Sequence, residues 1–202
     1  MRQRTRPIVA LILALAAACA APQERDETPP TADSLTVARA RDAAAALGPD
    51  LMGLLLSQLD RGGPEAALTV CVDSAQVRTA RHSVDGVAIR RIGTRVRNPV
   101  NAPDSLETRL LAYLAAELDA GRLPAEFTEV ARTGADGTWE LRYLRPILLL
   151  DRCTACHGAE SEIAPRVRTL IASRYPADEA VGYRPGELRG AISVRVPLPA
   201  TQ

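Results

Sequence analysis

Aromatic residues make up only 3% of this 202-residue chain, and lysine does not occur at all. With one Phe, one Trp and four Tyr, a domain of this length has to fill its centre with Ala, Leu, Val and Ile. The 25 basic residues are all arginine, are balanced by 24 acidic ones, and form no basic block, which argues against a nucleic-acid partner. Histidine and methionine are equally scarce at two each, so metal or acid–base chemistry has few side chains to draw on. No internal repeat is visible. The apolar run Ile8 to Ala18 is too short to span a bilayer comfortably, because a membrane helix needs about 20 apolar residues.

That run does suit the apolar segment of a secretory signal, since Arg2, Arg4 and Arg6 precede it. Residues 1–18 are therefore expected to direct export to the periplasm. Ala16-Ala17-Ala18-Cys19 resembles a bacterial lipobox, which would place a lipid on Cys19 and tie the protein to the membrane through that lipid alone; Ala18-Cys19-Ala20 also fits an ordinary signal-peptidase site. Residues 19–33, with Pro22, Pro29, Pro30 and several charges, read as a flexible tether. Residues 34–202 are long enough for one domain.

Within that domain Leu47, Leu51, Leu54, Leu55 and Leu59 recur at helical spacing, with a kink or division expected at Gly48-Pro49. Gly62-Gly63 should end this segment, and Pro64 should open a second helix that turns Ala67, Leu68, Cys71 and Ala75 inward. Val87 to Val96, interleaved with arginine, reads as a strand with a solvated or ligand-facing side. Asp104 and Glu107 form a capping-box start for a helix that Gly121 ends, and Phe127 to Ala131 with Trp139 to Leu150 form a hairpin joined across Gly134 to Gly137. A short helix over Ile163 to Arg174 and a strand over Gly190 to Pro197 complete an α+β domain, an antiparallel sheet flanked by helices.

Cys153-Thr154-Ala155-Cys156-His157 carries the most specific chemistry. Two thiols three positions apart can add across the two vinyl groups of haem, and the imidazole that follows the second can bind the iron, so the motif predicts one covalent haem c held by Cys153 and Cys156 with His157 as axial ligand. Its rivals are a redox dithiol, which wants a strand-to-helix position in an α/β sheet, and half a zinc site, which wants a second ligand pair. Neither context is present. A buried porphyrin would also supply the flat apolar bulk that the scarce aromatics do not.

For the sixth iron position the candidates are Cys71, His82 and Met52. Cys71 is left over once Cys19, Cys153 and Cys156 are accounted for, and an unpaired thiol in an oxidising compartment calls for a role; the alternative is a small buried hydrophobe. His82 follows Arg78 and Arg81 near a helix end, where histidine commonly meets the helix dipole. Met52 precedes the motif, and no methionine follows it. Cys71 leads, with His82 second. Arg90, Arg91, Arg97 and Arg142 are possible partners for haem carboxylates, although most such arginines are solvated.

A set of short stretches resembles a known family. They are Gly62-Gly63-Pro64 with Cys71, Ile89-Arg90-Arg91, Arg97-Asn98-Pro99, Asn101-Ala102-Pro103-Asp104, Arg142-Tyr143-Leu144 with Pro146-Ile147, Cys153 to Gly158, Tyr175-Pro176-Ala177-Asp178, Gly182-Tyr183 and Arg189-Gly190-Ala191, in order from about residue 53 to residue 196. The family is the c-type haem-binding domain with a PAS-like fold, found alone in exported proteins and as the sensor of membrane signalling proteins. The resemblance implies a PAS-like sheet and iron ligands His157 and Cys71. It also implies a redox or gas sensor, which would need a separate membrane signalling protein because this chain carries no output module. A low-potential electron carrier with a redox partner is the alternative. An enzyme is disfavoured, because no histidine but His82 is available as a distal acid–base group.

Overall fold

The computed structural model describes residues 28–133 and 137–199. Residues 28–33 have no regular structure, and Asp33 then caps the first helix by accepting from the Thr36 amide at 2.7 Å. Helix α1 (Ser34–Arg81) is broken at Gly62 and Gly63, the latter at φ 69°, a left-handed conformation that glycine adopts without a Cβ penalty. It has an N-terminal arm, 34–61, and a C-terminal arm, 64–81. The break expected at Gly48-Pro49 does not occur, and the helix runs through both residues. Here packing overrides the local rule, because Ala40, Ala44 and Leu47 before the proline and Leu51 after it lie along one stripe against the sheet.

The sheet contains β1 (Ala88–Ile92), β2 (Phe127–Thr133), β3 (Thr138–Leu148) and β4 (Leu188–Pro197), all pairs antiparallel and ordered β1-β4-β3-β2. This is the expected α+β, PAS-like architecture. β1 is shorter than its sequence pattern suggested, and residues 134–136 of the hairpin joint lie outside the described residues. Alternation sorts the strands into two faces. Ile89, Leu141, Tyr143, Ile192, Val194 and Val196 meet the N-terminal arm of α1, while Ile92, Leu144, Leu188 and Ala191 meet Leu110, Leu111 and Leu114 of α2 (Ser105–Asp119). Beyond the sheet, α3 (Thr154–His157) and α4 (Pro165–Arg174) precede β4. Val167 and Ile171 of α4, with Ile163, pack on Leu68 and Val72 of the C-terminal arm. Among the described residues no helix is long and apolar enough to cross a membrane.

Two arginines proposed above as ligand partners are engaged in this framework. Arg142 is fully buried and reaches Asp104 at 2.5 Å, Glu140 at 3.2 Å and Glu107 at 3.6 Å, while Arg90 pairs with Glu107 at 3.0 Å. Glu107 also closes the capping box of α2, accepting from the Asp104 amide, and accepts from the Ser193 hydroxyl at 2.7 Å. Both guanidinium groups therefore hold α2 to the sheet. Arg142→Met should cost about 3 kcal/mol in urea unfolding, because three carboxylates lose a buried partner, whereas a loss below about 1 kcal/mol would place the network among weak surface pairs.

Candidate functional site

Between the C-terminal arm of α1, the end of the sheet and the segment around α3 lies a cavity of ≈ 250 Å³. Its wall brings together Cys71 from α1, Cys153 from the turn before α3, and Cys156 and His157 from α3. All three thiols are free. Leu55, Leu59, Leu68, Val96 and Leu149 supply apolar lining, and Arg91, Arg97, Arg152 and Arg189 also reach the wall, which among the described residues contains no carboxylate. A second cavity of ≈ 180 Å³ adjoins it and shares Met52, Leu55, Cys71, Arg91 and Ile147. His82 lines neither cavity; it caps the end of α1 and lies 3.2 Å from Asp50. Cys19 lies outside the described residues.

The motif is held from behind. The segment 178–183 runs along it, with the Gly182 amide donating to the Gly158 carbonyl at 2.7 Å and the Tyr183 amide to the His157 carbonyl at 2.9 Å. His157 Nδ1 sits 2.7 Å from the Ala180 carbonyl oxygen, which fixes Nδ1 as the protonated nitrogen and leaves the Nε2 lone pair for a ligand. The Tyr183 ring stands edge-on to the imidazole at 6.3 Å. Gly158 is required where it stands, since a Cβ there would lie 2.7 Å from the Thr154 carbonyl oxygen.

Arg97 locks these parts together. It forks onto Asp178, Nε to Oδ1 at 3.1 Å and Nη2 to Oδ2 at 3.0 Å, and donates to the carbonyls of Cys156 at 2.6 Å and Ala180 at 3.2 Å. Asp178 Oδ1 in turn accepts from the Ala180 amide at 2.9 Å. The carbonyl that orients His157 is thus set by a buried ion pair 81 residues apart in sequence. Residue reading placed Arg97 only among possible carboxylate partners and missed this clamp. The signal lay in two of the stretches that carry the family resemblance, Arg97-Asn98-Pro99 and Tyr175-Pro176-Ala177-Asp178.

Burial, aided by Arg97 and Arg189, pushes the imidazole of His157 down to about 3, against the opposing pull of the Ala180 carbonyl. The ring is consequently neutral at physiological pH. Burial raises the thiols of Cys71 and Cys156, and for Cys71 the neighbouring Arg91 and Arg97 work in the other direction. Burial also lowers the pKa values of Arg91 and Arg189. Among the described residues no group of three or more His, Cys, Asp or Glu could hold a bare metal ion. The arrangement instead offers two thiols, a neutral imidazole and a cationic, largely apolar hollow.

The family model described as Tll0287-like matches residues 7–197. A solved structure, the crystal structure of the cyanobacterial heme-protein Tll0287, superimposes with a TM-score of 0.63 at 24% identity, covering 85% of this chain and 100% of that one. No curated protein matches the sequence.

The His157 environment has a measurable consequence in protein prepared without cofactor. A group whose folded pKa is depressed to about 3 takes up its proton earlier in the unfolded chain, so stability is lost as pH falls from about 6.5 towards 3, by up to about 1.4 kcal/mol per pH unit. Urea unfolding between those limits, compared with His157→Gln, should show that slope removed in the variant. Equal slopes would mean that the ring is solvated.

Proposed function

Because the chain belongs to the Tll0287-like family and shares its fold with a cyanobacterial haem protein, we propose that it binds one haem covalently as an exported c-type protein and senses redox state or a gas through a His/Cys-ligated iron. The observation that carries this reading is the convergence of Cys71, Cys153, Cys156 and His157 on one cavity. The residues present fit the group. Cys153 and Cys156 are unpaired and three positions apart, as attachment needs; His157 offers Nε2 from a neutral, oriented ring; and the lining has unneutralised arginine charge for the carboxylates of a haem. Haem would supply a one-electron iron centre, and a thiolate ligand would favour its ferric state and lower its potential.

The chain's own residues then divide the work. His157 is held by the Ala180 carbonyl and, through it, by Arg97 and Asp178. Cys71 is presented by the C-terminal arm of α1, which packs on α4 and is jointed at Gly62-Gly63. A ligand borne on a jointed arm suits a sensor, since its loss would be felt along α1. Leu148 and Leu150, 37% and 48% exposed beside the attachment site, favour a second reading in which a redox partner meets an electron carrier there.

Export through residues 1–18, lipid on Cys19 and a tether over 19–33 belong to the same proposal, on the strength of the N-terminal sequence. Intact-mass measurement of protein purified from membranes should show one haem retained through acid–acetone extraction and a lipid on an N-terminal Cys19. Haem lost to extraction would defeat the c-type assignment, and an unlipidated product the anchor. The axial assignment is tested apart. Cys71→Ser should convert a low-spin thiolate EPR signal to high spin and raise the reduction potential, because the electron-donating sulfur is gone. Unchanged spectra and potential would reduce Cys71 to core packing.

A further inference from the structure

Several arginines that reach inward from the sheet and its loops have an acid. Arg90 has Glu107, Arg97 has Asp178, and Arg142 has Asp104, Glu107 and Glu140. Arg91 has none. Its Nε is buried without a hydrogen-bond partner, and the groups acting on its charge are Cys71 and Tyr175, neither a carboxylate. A guanidinium withdrawn from water and left unpaired is costly, so an anion from elsewhere is the expected complement.

Where Arg91 lies says which anion. It shares the face of β1 with Ile89, towards α1, and it borders both cavities together with Cys71. Of the arginines on the first cavity, beside Cys153, Cys156 and His157, Arg91 alone also borders the second, while Arg152 and Arg189 are confined to the first. The second cavity contains none of the attachment residues. Apart from Cys71 and Arg91 its lining is apolar, with Leu51, Leu54, Ala75 and Ile192 prominent, and its ≈ 180 Å³ admits only a small guest.

We propose that Arg91 is the seat of an anion site beside Cys71, which takes a small inorganic anion of the azide or nitrite class when the thiolate is not there to complement the guanidinium. The proposal rests on the reading of Cys71 as an axial ligand: thiolate and inorganic anion are alternative partners of one cation. Nitrite or a similar oxoanion then becomes a candidate signal for the sensor.

The test uses the ferric holoprotein carrying Cys71→Ala, titrated with azide and followed by its optical spectrum. Adding Arg91→Gln should weaken azide binding about ten- to a hundredfold, the scale of a hydrogen bond to a charged group, while binding of neutral carbon monoxide to the ferrous protein changes less than about threefold. Azide affinity unchanged by Arg91→Gln would overturn the proposal, as would azide and carbon monoxide falling together, which would indicate a damaged cavity. Failure of the axial reading shows itself separately, as a ferric spectrum that Cys71→Ala does not alter. Anomalous scattering from crystals of the holoprotein soaked in bromide then decides the anion site alone. A bromide peak against Arg91 in Cys71→Ala that is absent in the double variant supports it, and no peak in Cys71→Ala rejects it.

Discussion

The fork of Arg97 on Asp178 is the constraint on which the site depends. Both side chains are more than nine-tenths buried, where an unpaired charge would be destabilising, so the pair has to form and has to be further satisfied. The two backbone carbonyls that complete Arg97 are those of Cys156 and Ala180, which are the motif itself and the acceptor for His157. Burying one ion pair therefore sets the direction of the imidazole. The same charge, with that of Arg189, helps keep the ring neutral and its Nε2 lone pair free. A structural requirement and a chemical one are met by a single guanidinium.

Sequence reading reached the parts whose cause is local. The Asp104 and Glu107 capping box forms both of its hydrogen bonds, Gly62-Gly63 breaks α1, and Cys-x-x-Cys-His places its three side chains on one wall because five consecutive residues leave little freedom. Where the cause is distant the reading went astray. Gly48-Pro49 carries the local marks of a helix break, yet the helix runs through both residues with the stripe from Ala40 to Leu51 packed on the sheet. Arg142 and Arg90 read as solvated strand charges or possible carboxylate partners of a haem, and only the alternation of a paired sheet shows that they point at Glu107 of α2 while Arg91, one residue on, points the other way. Glu107 itself was legible as a cap and not as the centre of a buried network, since its partners Arg142 and Ser193 lie 35 and 86 residues away.

His157 and Cys71, the two candidate iron ligands, sit in differently built surroundings. Around His157 the support is polar and cross-linked: two backbone bonds from segment 178–183, the Ala180 carbonyl, and an ion pair that spans β1's outgoing loop and that segment. Removing one bond there leaves the others in place. Cys71 is carried by an arm whose nearest packing is Leu68 and Val72 against Ile163, Val167 and Ile171, non-directional contacts that tolerate sliding, while its side-chain hydrogen bonds lie further along, from Gln76 to Asn101 and from Arg78 and His82 to Asp50. The arm's joint at Gly63 lies eight residues before the thiol, which lines both cavities. If one of the two side chains is to exchange while the other stays, the rigidity of its surroundings assigns the fixed role to His157 and the exchangeable one to Cys71. A shift of that arm at Gly62-Gly63 would be passed to the N-terminal arm where Arg78 and His82 meet Asp50, and that arm lies on the sheet along Ala40, Ala44 and Leu47, so the long first helix is both the bearer of the thiol and a cover of the sheet's α1 face.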